Sequence, residues 1–150
     1  MATFGFWNVD NRRDRQTDDR DLPRAAAALT FERSLDVLFL IECAAPYESL
    51  LPSFQGVPAY FPVNCASRFK VFARFAPELM ERLLPPVPSD RYEIWRLQLP
   101  LQKDVLLCVV HGLDKRNNSE AKQELFLKQV VSALSYWENA VGHERSIVFG

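Results

Sequence analysis

The sequence predicts an α/β fold, and two kinds of hydrophobic periodicity predict it. Leu35-Asp36-Val37-Leu38-Phe39-Leu40-Ile41-Glu42 is apolar at nearly every position, as in a strand covered on both faces in sheets fed by helix crossovers. Further on, Leu125, Phe126, Val130, Ala133, Leu134, Trp137 and Val141 recur at helical spacing instead. The 150 residues fit one domain, and 48% hydrophobic with 25% charged residues are ordinary for a globular protein with a sizeable core.

Taken in order, Thr3 to Val9 alternates aromatic with small residues and runs into a turn-forming cluster, which predicts a first strand. Asp10 to Asp21 is almost wholly polar and predicts a solvated loop of mixed charge. Leu22-Pro23 opens a helix: Asp21 brings a negative charge to the N-terminus, proline is tolerated in the first turn, and Ala25 to Ala28 propagate well. Leu29, Phe31 and Leu35 supply its apolar contacts before the strand Leu35 to Glu42, so strand, helix and strand make a βαβ unit with a right-handed crossover. Pro46, Pro52, Pro58 and Pro62 then leave room only for a short helix around Tyr47 to Leu51.

Arg68 to Phe75 alternates Phe69, Val71, Ala73 and Phe75 with Arg68, Lys70, Phe72 and Arg74, a strand with one wetter face on which the arginines are solvated. Leu83 to Ser89, with three prolines, is a loop or a linker between strands rather than a domain boundary. Tyr92 to Leu99 and Asp104 to His111 flank a short connection and predict an antiparallel hairpin. The long helix starts at Asn118 or Ser119, with Glu120 favouring its dipole, and stops at Gly142. Ser146 to Gly150 begins another buried strand.

Charge and cysteine usage exclude several classes. A net charge of -1 and a pI near 6.1 give no global field for holding nucleic acid, so phosphate recognition has to be local. Even in the arginine-containing loop Arg12 to Arg20, the aspartates from Asp10 to Asp21 nearly cancel the positive charge. Cys43, Cys65 and Cys108 lie far apart beside apolar residues and read as reduced core cysteines. The N-terminus has no basic segment followed by an apolar stretch, and no apolar run approaches a membrane span. A cytoplasmic location is expected.

Polar residues of chemical interest stand at strand ends, where ligands gather in open α/β sheets. Asn8 and Asp10 follow the first strand, Glu42 the second, and His111 follows Val105 to Val110. Each has a structural reading of its own: Asn and Asp are ordinary turn residues, a lone glutamate marks where a strand meets water, and a lone histidine is more often a hydrogen-bonded structural residue. Their order on successive strands is the stronger observation, because it sets an amide, a carboxylate and an imidazole on one rim.

At Phe6-Trp7-Asn8-Val9-Asp10, Asp36 to Glu42, Val109-Val110-His111 and Ile147-Val148-Phe149-Gly150 the chain resembles the endonuclease/exonuclease/phosphatase superfamily. The resemblance implies a partial α/β sandwich, a mixed sheet with helices on one side, with residues 1–150 forming the N-terminal half of such a domain. It implies that Glu42 is a ligand to Mg2+ or Mn2+ and that Asp10 is a nearby acid at the metal. It implies that Asn8 orients the carboxylate and the scissile phosphate, and that His111 contacts phosphate or transfers a proton. The activity implied is divalent-metal-dependent hydrolysis of a phosphodiester or phosphomonoester, nucleic acid among the substrates. The general base of the family's Gly-Asp-x-Asn and Ser-Asp-His motifs has no counterpart in the sequence.

A domain cut short before Gly-Asp-x-Asn and inactive by itself is therefore expected, with mainly one sheet and an open apolar face. A non-catalytic module that forms a homodimer or takes up a complementing C-terminal half through that face is the alternative. An unrelated α/β binding protein, with Asn8, Glu42 and His111 merely polar strand ends, is the third reading.

Overall fold

The computed structural model describes residues 2–11, 21–56, 59–66 and 68–150, without the side chains of residues 10, 11 and 102. The chain divides into two compact units, Met1–Glu78 and Leu79–Gly150. Each carries a four-stranded mixed sheet, where the sequence predicts mainly one sheet. The α/β class holds, and within each unit the helices that join the core lie on one face of its sheet. No helix among the described residues is long and apolar enough to cross a membrane.

In the N-terminal unit the predicted βαβ element is formed by β1 (Phe4–Asn11), α1 (Asp21–Glu32) and β2 (Val37–Cys43), with β1 parallel to β2. Most of the loop expected between Asp10 and Asp21, residues 12–20, lies outside the described residues, and β1 itself continues to Asn11. The helix buries small residues, Ala26, Ala27 and Thr30, which let it approach the sheet closely, while Leu29 is only half-buried. The Thr30 hydroxyl donates back to the Ala26 carbonyl at 2.7 Å, which removes its burial cost. Gly5 marks another close approach, since a Cβ there would lie 2.3 Å from Leu35 Cδ1.

The proline-punctuated segment forms α2 (Tyr47–Leu50), a single 3-10 turn Leu51–Phe54, and then the short β3 (Phe61–Val63). Phe54 stacks on Phe72 at 4.1 Å between centroids, and Tyr60 meets Phe54 and Phe31 edge-on. β4 (Phe69–Ala73) lies between β2 and β3 and is antiparallel to both. The wetter face expected of this strand is not found, because all five of its residues are buried. Phe72 belongs to the helix-side core, and the Lys70 ammonium sits 5.3 Å from the centroid of the Tyr47 ring, so the ring covers the charge.

Just before β2, Asp36 ties the N-terminus to β4. Its carboxylate accepts from the Thr3 amide at 2.7 Å and the Thr3 hydroxyl at 2.9 Å, and pairs with Arg74, which is therefore not simply solvated. Burial acts to raise this carboxyl, but the Thr3 hydrogen bonds and the Arg74 charge outweigh it and hold the pKa below 3.8. A lowered native pKa stabilises the fold above the unfolded value, and that contribution is lost as pH falls through the native one. Acid unfolding of wild type and Asp36→Asn is expected to show it: the variant loses stability at neutral pH, and the gap closes below about pH 4.

The C-terminal unit contains β5 (Met80–Leu83), β6 (Tyr92–Leu97), β7 (Val105–Val110), α3 (Glu120–Val141) and β8 (Ser146–Phe149), in sheet order β5-β6-β7-β8. The predicted hairpin is β6–β7, joined through a 3-10 turn in which Leu101 has a φ of 64°. Ser119 caps α3, its hydroxyl accepting from Lys122 N, and Gly142 ends it with a φ of 73°. Phe126, Val130 and Ala133 of α3 pack on Tyr92, Ile94, Leu106 and Cys108. On the opposite face of β6 the buried Glu93 is held by both Arg82 Nε, at 2.7 Å, and Nη2, at 2.6 Å.

Two expectations about exposure are corrected. β8 is not a buried strand: it pairs with β7 alone among the described residues, and Ile147 and Val148 are 37% and 55% exposed. Neither sheet leaves an open apolar face along its central strands. Val37, Phe39 and Ile41 of β2, and Trp95, Leu107 and Val109 of β6 and β7, are at most 1% exposed although they lie opposite the helix-side cores.

Candidate functional site

Parallel pairing of β1 and β2 sets the three N-terminal candidates side by side. Asn8 is the register partner of Ile41, and the next pair is Asn11 with Cys43. Val9 and Asp10 therefore face the single residue Glu42, a bulge with the extra residue in β1. Glu42 does not end its strand as predicted. It sits one residue inside, half-buried, with a φ of 54° that side-chain-bearing residues seldom adopt. Asn8 is exposed, and the Asp10 side chain lies outside the described residues.

His111 belongs to the other compact unit. It directly follows β7, half-buried, and its backbone N–H donates to the Arg91 carbonyl at 2.7 Å, extending the β6–β7 ladder by one step. The second histidine has a local role: His143 Nδ1 accepts from Arg145 N at 3.2 Å beyond the α3 terminus. The cysteines form no disulfide among the described residues, with Cys43 and Cys108 buried and Cys65 half-buried. Burial pushes the Cys108 thiol up to about 12, far from nucleophilic use.

No family model matches the chain, and no curated protein matches it by sequence. Solved structures do match. TDP2 from D. rerio, complexed with single strand DNA product, superposes with a TM-score of 0.59 at 20% identity, covering 98% of this chain and 58% of that one. Selenomethionine TDP2 from Caenorhabditis elegans gives 0.60 at 15% identity over 99% and 46%. An AP endonuclease from Archaeoglobus fulgidus gives 0.57 at 11% over 91% and 52%. The fold is of the endonuclease/exonuclease/phosphatase type. The chain spans only 46–58% of the length of these neighbours, and identities of this size establish the endonuclease/exonuclease/phosphatase fold alone.

Chemistry decides which kind of ion the candidate residues of this endonuclease/exonuclease/phosphatase fold can take. Among the described residues no group of three or more His, Cys, Asp or Glu side chains is placed to hold a metal, which rules out a closed protein cage built from them. Mg2+ needs no such cage. It keeps several waters and is held by one or two carboxylates together with substrate oxygens, and Glu42 is the described carboxylate at the bulge.

Of the residues around the bulge the sequence singles out Asn8, Asp10 and Glu42, with His111 further on, and reads Cys43 only as a reduced core cysteine.

Proposed function

We propose that residues 1–150 act as the N-terminal half of a divalent-metal-dependent phosphodiester hydrolase of the nuclease or phosphatase kind. The bulge that sets Val9 and Asp10 opposite a left-handed Glu42 is the observation that carries this reading. Glu42 and Asp10 hold Mg2+ or Mn2+, which neutralises charge developing on the phosphate oxygens. Asn8 donates its amide N–H to a phosphate oxygen, one residue along the ladder from the carboxylate. His111 contacts phosphate or relays a proton near neutral pH. One structural neighbour holds a single strand DNA product and another is an AP endonuclease, which supports a DNA phosphodiester as the substrate.

The motifs that supply the water-activating groups in this superfamily have no counterpart in residues 1–150, so metal binding is the property these residues are tested for. The test is isothermal titration of the 150-residue chain with Mg2+ and Mn2+. Binding weakened at least tenfold in Glu42→Gln is expected, of the order seen when a metal's immediate environment is altered. Binding that is unchanged by this substitution places the ion elsewhere and overturns the proposal.

A second reading, a non-catalytic interaction module, is favoured by a different observation. Among the described residues β8 pairs with β7 alone, carries no charged side chain and exposes Ile147 and Val148, the kind of edge to which a further strand adds. It predicts self-association or capture of a complementing chain. A clean monomer by sedimentation velocity at high protein concentration would count against the homodimer.

A further inference from the structure

Alternation along a strand places Leu38, Leu40 and residue 42 in one row. The helix-side core contains Leu38 and Leu40, but its next member from β2 is Cys43, 1% exposed, and not residue 42. The exchange falls where Glu42 has its φ of 54° and where β1 carries an extra residue. Val9 of β1 packs against the same core, so a residue 42 kept in the row would put its side chain against apolar neighbours. A carboxylate there would be desolvated and closed to an ion. Cysteine suits the place because it is small and readily buried.

We infer that Cys43 is the positioning residue for Glu42: by occupying the core place that alternation assigns to residue 42, it enforces the left-handed turn that keeps the carboxylate out of the helix-side core. This rests on the metal-ligand reading of Glu42. The strain is the local cost of that placement, and strained backbone held in place by its surroundings is a recurrent feature of functional sites.

The test is a double-mutant cycle on the full chain, read by urea unfolding. With Cys43 present, Glu42→Gly is expected to favour the folded state about fivefold over Glu42→Ala, because glycine takes a positive φ without steric cost. In a Cys43→Ser background the alanine introduced by Glu42→Ala can enter the apolar row with the serine turned outward, and the glycine advantage should fall below about twofold. An unchanged advantage overturns the role of Cys43. Should Cys43→Ser fail to fold, Cys43→Gly, which leaves the row without a side chain, runs the same cycle.

Broadening of the Asn8 and Ile41 amide resonances by Mn2+ separates the positioning role from the metal reading. Broadening is expected in wild type and Cys43→Ala, at roughly tenfold higher Mn2+ in Cys43→Ser. Equal broadening in all three overturns the positioning inference. None in wild type overturns the metal reading, while the stability cycle still decides the backbone role.

Discussion

Arg82→Ala is expected to destabilise the C-terminal unit by about 3 kcal/mol, the scale on which buried ion pairs fail when one partner is removed. The Glu93 side chain is 2% exposed, and two guanidinium nitrogens of Arg82 meet its two oxygens from the neighbouring strand. Truncating the arginine leaves a desolvated carboxylate on β6 without that bidentate partner. Urea unfolding followed by the fluorescence of the buried Trp95 reports on the same strand. Replacing both partners, as in Arg82→Met with Glu93→Leu, should restore most of the stability. A loss below about 1 kcal/mol for Arg82→Ala alone would mean that water reaches Glu93 after truncation and that the pair behaves as a surface one.

Tyr47→Phe is expected to cost about 2–4 kcal/mol, although it deletes a single oxygen. Val63 and Val71 are register partners in β3 and β4, and the Tyr47 hydroxyl sits between them. It donates to the Val63 carbonyl at 3.0 Å and accepts from the Val71 amide at 3.0 Å, with Cys65 Sγ 3.1 Å away. The phenol thus stands in for a rung of the ladder, and its removal strands a donor and an acceptor on buried residues. Burial first, then the neighbouring Cys65, pushes this phenol above its ordinary value, so it stays neutral across the stable pH range. Thermal unfolding of the variant checks the effect. Hydrogen exchange at the Val71 amide should accelerate specifically, and a protected Val71 amide would refute the bridging role.

The two substitutions concern features of different legibility. Glu93 and Arg82 belong to separate segments, and β5 itself was not apparent, because Met80-Glu81-Arg82-Leu83 is too short and too polar to show a period. Tyr47 was legible as part of a short helix between prolines, yet its role depends on β3, which carries Pro62 and reads as connecting chain. Lys70 misled in the opposite direction. A lysine alternating with apolar residues signals a wet strand face, and the Tyr47 ring supplied by α2 lies over this one instead.

For the candidate site, local pattern sufficed to predict that the strands carrying Asn8, Asp10 and Glu42 run parallel, because a buried strand, a helix and a second buried strand leave few other connections. The helix boundaries at Asp21, Ser119 and Gly142 were likewise decided by residues whose preferences act within one turn. What tertiary structure alone decided is the register. Whether residue 42 or residue 43 enters the core depends on Val9, Ala26, Leu50 and Phe72, drawn from four other elements of the same core. A side-chain period of two cannot reveal which member of a neighbouring pair wins that place, and the left-handed turn at Glu42 is the backbone's response to the outcome.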